Sequence, residues 1–160
     1  MKSEAQKEHL WLQKFLGEWT YELDCPAEPG KPPSKHTGSE SVRSLGGLWI
    51  LAEGKGQMPD GTPSATLMTV GYDPQKKRFV GTWIGSVMCN LWVYDGEVDA
   101  AGKVLSLSAE GPAFDGSGKT ALYRDVIEFK SDDLRVLTSH VKGDDGTWTQ
   151  FMAADYRRKK

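Results

Sequence analysis

The sequence predicts an all-β fold, an antiparallel up-and-down barrel of about ten strands with a short N-terminal helix. Three observations carry the prediction. From Glu18 onward the apolar residues recur with period two, as strands with one buried face require. Runs rich in Val, Ile, Thr, Trp and Tyr are interrupted by Gly, Pro, Asn and Asp clusters, in a chain holding 18 Gly and 8 Pro. The intervening connections are too short for a parallel crossover, so successive strands pair antiparallel. An open meander of that size would leave two edges and an uncovered apolar face, and closure removes both.

The elements follow in order. Ser3 and Gln6 form a capping-box pattern, and Ala5, Leu12 and Leu16, flanked by Trp11 and Phe15, give an apolar face, so a helix is expected over about 3–16, stopped by Gly17. This helix should plug one end of the barrel. Strands are expected to begin near Glu18, Thr37, Leu48, Ala65, Arg78, Asn90, Lys103, Leu122, Leu134 and Trp148. Gly46-Gly47 suits a tight hairpin with positive φ, while Pro59-Asp60-Gly61, Asp73-Pro74 and Asp144-Asp145-Gly146 are turn formers. The stretch Asp24 to Lys35 holds four of the eight prolines and reads as an exposed loop or lid, since proline cannot pair in a central strand. Gly111 to Lys119 is a second long loop centred on Phe114.

Several stretches carry a family likeness. LGEW at Leu16 to Trp19 resembles the Gly-x-Trp signature that opens lipocalin-like barrels. With the runs Gly38 to Gly56, Thr69 to Trp83 and Tyr94 to Gly111, and the closing YRRK at Tyr156 to Lys159, the chain is similar to a bacterial family of short lipocalin-like (calycin-like) β-barrel proteins known as a domain of unknown function. The resemblance covers nearly everything from Phe15 onward. It implies a fold and carries no shared activity, because function belongs to sites grafted on folds. One departure is visible: many of these proteins place a carboxylate or amide after the equivalent of Trp83-Ile84, where this chain has Gly85-Ser86.

The 160 residues amount to one domain, 1–160. Net charge is −2, from 20 Lys and Arg against 22 Asp and Glu, so no electrostatic footprint for nucleic acid or an anionic membrane exists. The N-terminus has no apolar run of signal-peptide length, and no stretch reads as a membrane-spanning helix. A cytoplasmic location is the expectation. Cys25 and Cys89 form neither a zinc ribbon nor a redox pair; both read as reduced thiols, Cys89 as a buried one. No metal site, P-loop, GxGxxG, HExxH or GxSxG motif is present.

A closed barrel of about ten strands leaves a cavity, so the inward residues are the candidate site. Tyr123, Asp125, Ile127 and Phe129 share one face, placing a carboxylate among aromatics. Trp83, Trp92 and Tyr94 are assigned inward, as are Trp148, Gln150, Met152, Ala154 and Tyr156 of the last strand. Glu53 follows Trp49 and Leu51 on one face and is a second inward carboxylate candidate; paired acids can perform general acid/base chemistry when their environments differ. His140 is ambiguous between the Val136-Thr138-His140 and Leu137-Ser139-Val141 faces.

The expected function is binding of a small, largely apolar molecule, of aromatic character, in the cavity, with no cofactor. Glu53, Trp83, Trp92, Tyr94, Tyr123, Asp125, His140, Gln150 and Met152 are the candidate ligand-binding residues. The alternatives are an isomerase, lyase or hydrolase using Asp125, Glu53 or His140 as its catalytic group, and a haem-binding barrel ligated by His140. A third is an interaction protein whose lumen is filled by its own aromatics and whose outer face makes a homodimer.

Overall fold

The computed structural model describes residues 1–25, 30 and 32–160. Ten strands close into one barrel in which every neighbour is antiparallel: β1 (Gly17–Cys25), β2 (Ser34–Leu45), β3 (Trp49–Gln57), β4 (Pro63–Asp73), β5 (Arg78–Gly85), β6 (Trp92–Val98), β7 (Val104–Pro112), β8 (Thr120–Ser131), β9 (Leu134–Lys142) and β10 (Trp148–Arg158). Sequential hairpins build the wall and β1 pairs with β10 to seal it. The hairpin at Gly46-Gly47 works because both glycines sit at positive φ, 65° and 75°, which a side chain would oppose. At Gly81, on β5, a Cβ would stand 1.9 Å from the Thr69 carbonyl oxygen of β4, so only glycine lets these strands approach.

The N-terminal segment is shorter than the sequence pattern suggests. Helix α1 spans Lys7–Trp11 and a single 3-10 turn continues over Leu12–Phe15. The cap lies at Gln6 rather than Ser3: the Gln6 N–H donates to His9 Nδ1 at 2.9 Å, and His9 Nε2 donates to the Tyr72 carbonyl at 3.1 Å. A buried histidine thus fixes where the helix starts, and residues before it gain nothing from helical geometry.

This segment plugs the barrel. Leu12, Phe15 and Trp19 are buried in one cluster with Ile50, Val70, Phe79, Leu105 and Phe129. Phe15 stands edge-on to Phe129 at 4.9 Å, and each such buried side chain contributes about 1.5–3 kcal/mol. The last strand locks the plug in place. Arg158 stacks 4.3 Å over the Trp19 ring and donates to the carbonyls of Leu16 at 2.5 Å and Lys14 at 3.1 Å. Trp19 Nε1 in turn donates to the Phe15 carbonyl at 2.8 Å.

The loop expected over Asp24 to Lys35 falls partly on residues 26–29 and 31, outside the described residues. β2 begins at Ser34, closer to the prolines than the expected Thr37. Cys89 is exposed rather than buried, because it lies in the β5–β6 connection and not in a strand. Among the described residues no helix is long and apolar enough to cross a membrane.

Candidate functional site

The plug fills only one end, and the remaining lumen is a cavity of about 780 Å³. Successive inward residues on a strand lie roughly 7 Å apart along its length, so the lining falls into layers. The rim carries Trp92, Tyr123, Phe151 and Phe114; Trp92 and Tyr123 meet edge-on at 4.9 Å. Phe114 comes from the β7–β8 loop, is 65% exposed, and rests on Tyr123 at 5.2 Å and Phe151 at 5.7 Å. Trp83, Met68, Met152, Leu107, Ala109 and Ile127 add apolar wall.

Midway down lies a polar island. Tyr94 on β6 donates to Asp125 Oδ2 at 2.5 Å, and the Ser139 hydroxyl on β9 donates to Asp125 Oδ1 at 2.6 Å. Burial raises the Asp125 carboxyl above the usual carboxylate range despite these donors, which pull the other way. Burial, reinforced by the Asp125 charge, pushes the Tyr94 phenol well above its ordinary value, so it stays a donor.

The floor is an ion pair. Arg135 on β9 bonds to Glu40 on β2; Arg135 is 2% exposed and Glu40 8%. The guanidinium is held by rings on its faces, 4.1 Å from Tyr156, 4.7 Å from Trp19 and 5.1 Å from Phe15. Its Nε has no hydrogen-bond partner among the described residues. Tyr156 also lines the lumen; burial, then the Glu40 charge, raises its phenol, which therefore remains protonated.

The structure brings together Trp83, Trp92, Tyr94, Tyr123, Asp125 and Met152 in the lumen and leaves three candidates outside it. Glu53 is corrected first. Its side chain is 52% exposed and pairs with Arg43 at 3.7 Å, because β3 turns Ile50, Ala52 and Gly54 inward. The plug packs against β3 and leaves room there for small side chains, while Trp49 lies on the outer face across Gly71. Chemistry shared between Glu53 and Asp125 is therefore not available.

His140 is likewise outside. Arg135, Leu137 and Ser139 take the lumen face of β9, so His140 points outward and its ring bonds Thr138 Oγ1 at 3.0 Å. It can neither ligate a haem in the lumen nor act there as a base. Gln150 fails for a different reason. A β-bulge shifts the register so that Gln150 pairs with outward His140 and Met152 with inward Ser139. Trp148 follows Gln150 outward, where Arg124 stacks on it at 4.3 Å. Gln150 instead borders an outer cleft of about 430 Å³, and the extra residue, Phe151, reaches the lumen.

Sequence reasoning missed Glu40, Arg135, Ser139, His36 and Phe114, all of which line the lumen. Parity held a signal for Glu40, which shares a face with Val42, but nothing local announces that its partner is 95 residues away. Among the described residues no group of three or more His, Cys, Asp or Glu is placed to hold a metal ion.

Comparisons with known proteins agree with this geometry at the level of fold. A family model described as "Protein of unknown function (DUF1579)" matches residues 4–158. The crystal structure of Rv2717c from M. tuberculosis is similar with a TM-score of 0.61 at 12% identity, over 98% of this chain and 100% of that chain. The structure of EF1p2_mFAP2b bound to DFHBI is similar with a TM-score of 0.51 at 14% identity, over 96% of this chain and 100% of that chain. No curated protein matches the chain at a significant level.

Proposed function

We propose that this chain, which belongs to the DUF1579 family of proteins of unknown function, binds one small, largely apolar molecule of aromatic character in its barrel lumen. The observation that carries the reading is the unfilled volume of about 780 Å³, within the range of about 300–1,000 Å³ typical of ligand sites. A barrel packed by its own aromatics would have no such space. Its composition supports the same reading: aromatic and methionine side chains supply contact area, and the Tyr94–Asp125–Ser139 island supplies a few fixed polar groups. A solved barrel of similar fold, EF1p2_mFAP2b, is bound to DFHBI.

The test is native mass spectrometry of the chain released gently from the cells that express it. The reading expects a 1:1 adduct of a low-mass apolar compound that is stripped by organic solvent and rebinds. A bare chain that takes up no member of a panel of aromatic compounds would end it.

A further inference from the structure

The lumen contains a charge that its own residues do not balance. The lumen lining holds two carboxyl groups, Glu40 and Asp125, one guanidinium, Arg135, and one imidazole, His36, whose ring bonds the Ser34 hydroxyl at 3.0 Å. Arg135 is committed to Glu40, and among the described residues Asp125 forms no ion pair. Its two hydrogen bonds come from neutral hydroxyls, one on each oxygen, and a carboxylate has about four acceptor sites. Acceptor capacity is left over on a carboxylate that lines the lumen below the rim aromatics. Burying such a group without a counter-charge is costly, and a fold selected for stability alone would place an amide or an apolar residue there.

Resting on the reading that the lumen binds a small molecule, we infer that this molecule carries a protonated nitrogen, seated against Asp125. A cation is the chemistry that removes the imbalance. It donates N–H hydrogen bonds to the free carboxylate lone pairs, and its apolar body meets Trp83, Trp92 and Tyr123, whose ring faces also attract positive charge. An anionic molecule meets the opposite situation, because Asp125 repels it and the one arginine of the lumen lining is already occupied by Glu40. A neutral alcohol gains a hydrogen bond but leaves the charge uncompensated.

Three probes sharing one carbon skeleton separate these cases: 3-phenylpropylamine, 3-phenylpropanol and 3-phenylpropanoate, titrated calorimetrically at neutral pH into the full chain and into Asp125→Asn. The amine should bind about 10- to 100-fold more tightly than the alcohol, the range of a charge-assisted over a neutral hydrogen bond, and the carboxylate most weakly. In Asp125→Asn the amine's preference over the alcohol should vanish, while a cooperative thermal melt shows that the variant is folded. Equal binding of alcohol and amine to the unaltered chain, or an amine preference that survives in Asp125→Asn, overturns the inference and leaves lumen binding standing. Failure of all three probes to bind overturns both.

Discussion

Removing the charge of Glu40 should unseat the floor of the lumen. Glu40→Gln keeps the size of the side chain but leaves Arg135, which is 2% exposed, without the carboxylate that faces it. Stacking on Tyr156, Trp19 and Phe15 persists and is worth about 2 kcal/mol for a desolvated cation, which falls short of the loss. Breaking a buried pair by removing one partner costs about 3–5 kcal/mol. In a domain of this size 1 kcal/mol moves the melting temperature by about 2–4 °C, so the shift should be roughly 6–20 °C downward. The control is the double variant Glu40→Leu with Arg135→Met, which removes both charges and should melt at or above the parent, since apolar replacement of a buried pair is often neutral or stabilising. Thermal melts of the parent, Glu40→Leu, Arg135→Met and the double variant complete the cycle, with Glu40→Gln melted beside them. A Glu40→Gln melt within about 2 °C of the parent, or a double variant as unstable as the single one, would refute the argument.

Three further outcomes follow from the site. The raised Asp125 carboxyl makes its share of stability largest below the unfolded-state value of about 3.9 and lost as pH rises through the higher folded-state value. Melting temperatures at pH 4 and pH 7 should therefore show Asp125→Asn gaining on the parent as pH rises, and a gap that is constant or moves the other way contradicts this. Phe114→Ala removes a 65% exposed ring that rests on Tyr123 and Phe151, so stopped-flow release of N-phenyl-1-naphthylamine should quicken about 2- to 10-fold, with the melt unchanged within about 2 °C. Unchanged release would remove Phe114 from the mouth. Gly81→Ala sets a methyl against the Thr69 carbonyl oxygen, a backbone atom that cannot swing aside, and should cost about 1–3 kcal/mol or more in denaturant melts; a neutral result would contradict the strand spacing.

The strand pattern was legible because most strands place apolar residues on a single face. On β7 and β8 the alternation of Leu105, Leu107 and Ala109, and of Tyr123, Ile127 and Phe129, left one choice, and Asp125 was located by its neighbours. β3 offered two apolar faces, Trp49 and Leu51 against Ile50 and Ala52, and size pointed to the wrong one because the plug had taken the space. In β10 a bulge exchanged the roles of Gln150 and Phe151, and one inserted residue inverts parity without leaving a mark in composition. The Glu40–Arg135 pair belongs to closure itself. Only when the wall is sealed do β2 and β9 face each other across the lumen.

The most direct measurement of the central claim is a fluorescence titration with N-phenyl-1-naphthylamine, a neutral aromatic probe, against the parent and Ala109→Trp. Ala109 lines the cavity wall and is 6% exposed, so an indole there takes up the volume the probe needs. The account predicts saturable binding of one probe per parent chain and its loss in Ala109→Trp, with both proteins melting cooperatively. Absence of saturable binding to the parent, or undiminished binding to a folded Ala109→Trp, would contradict it.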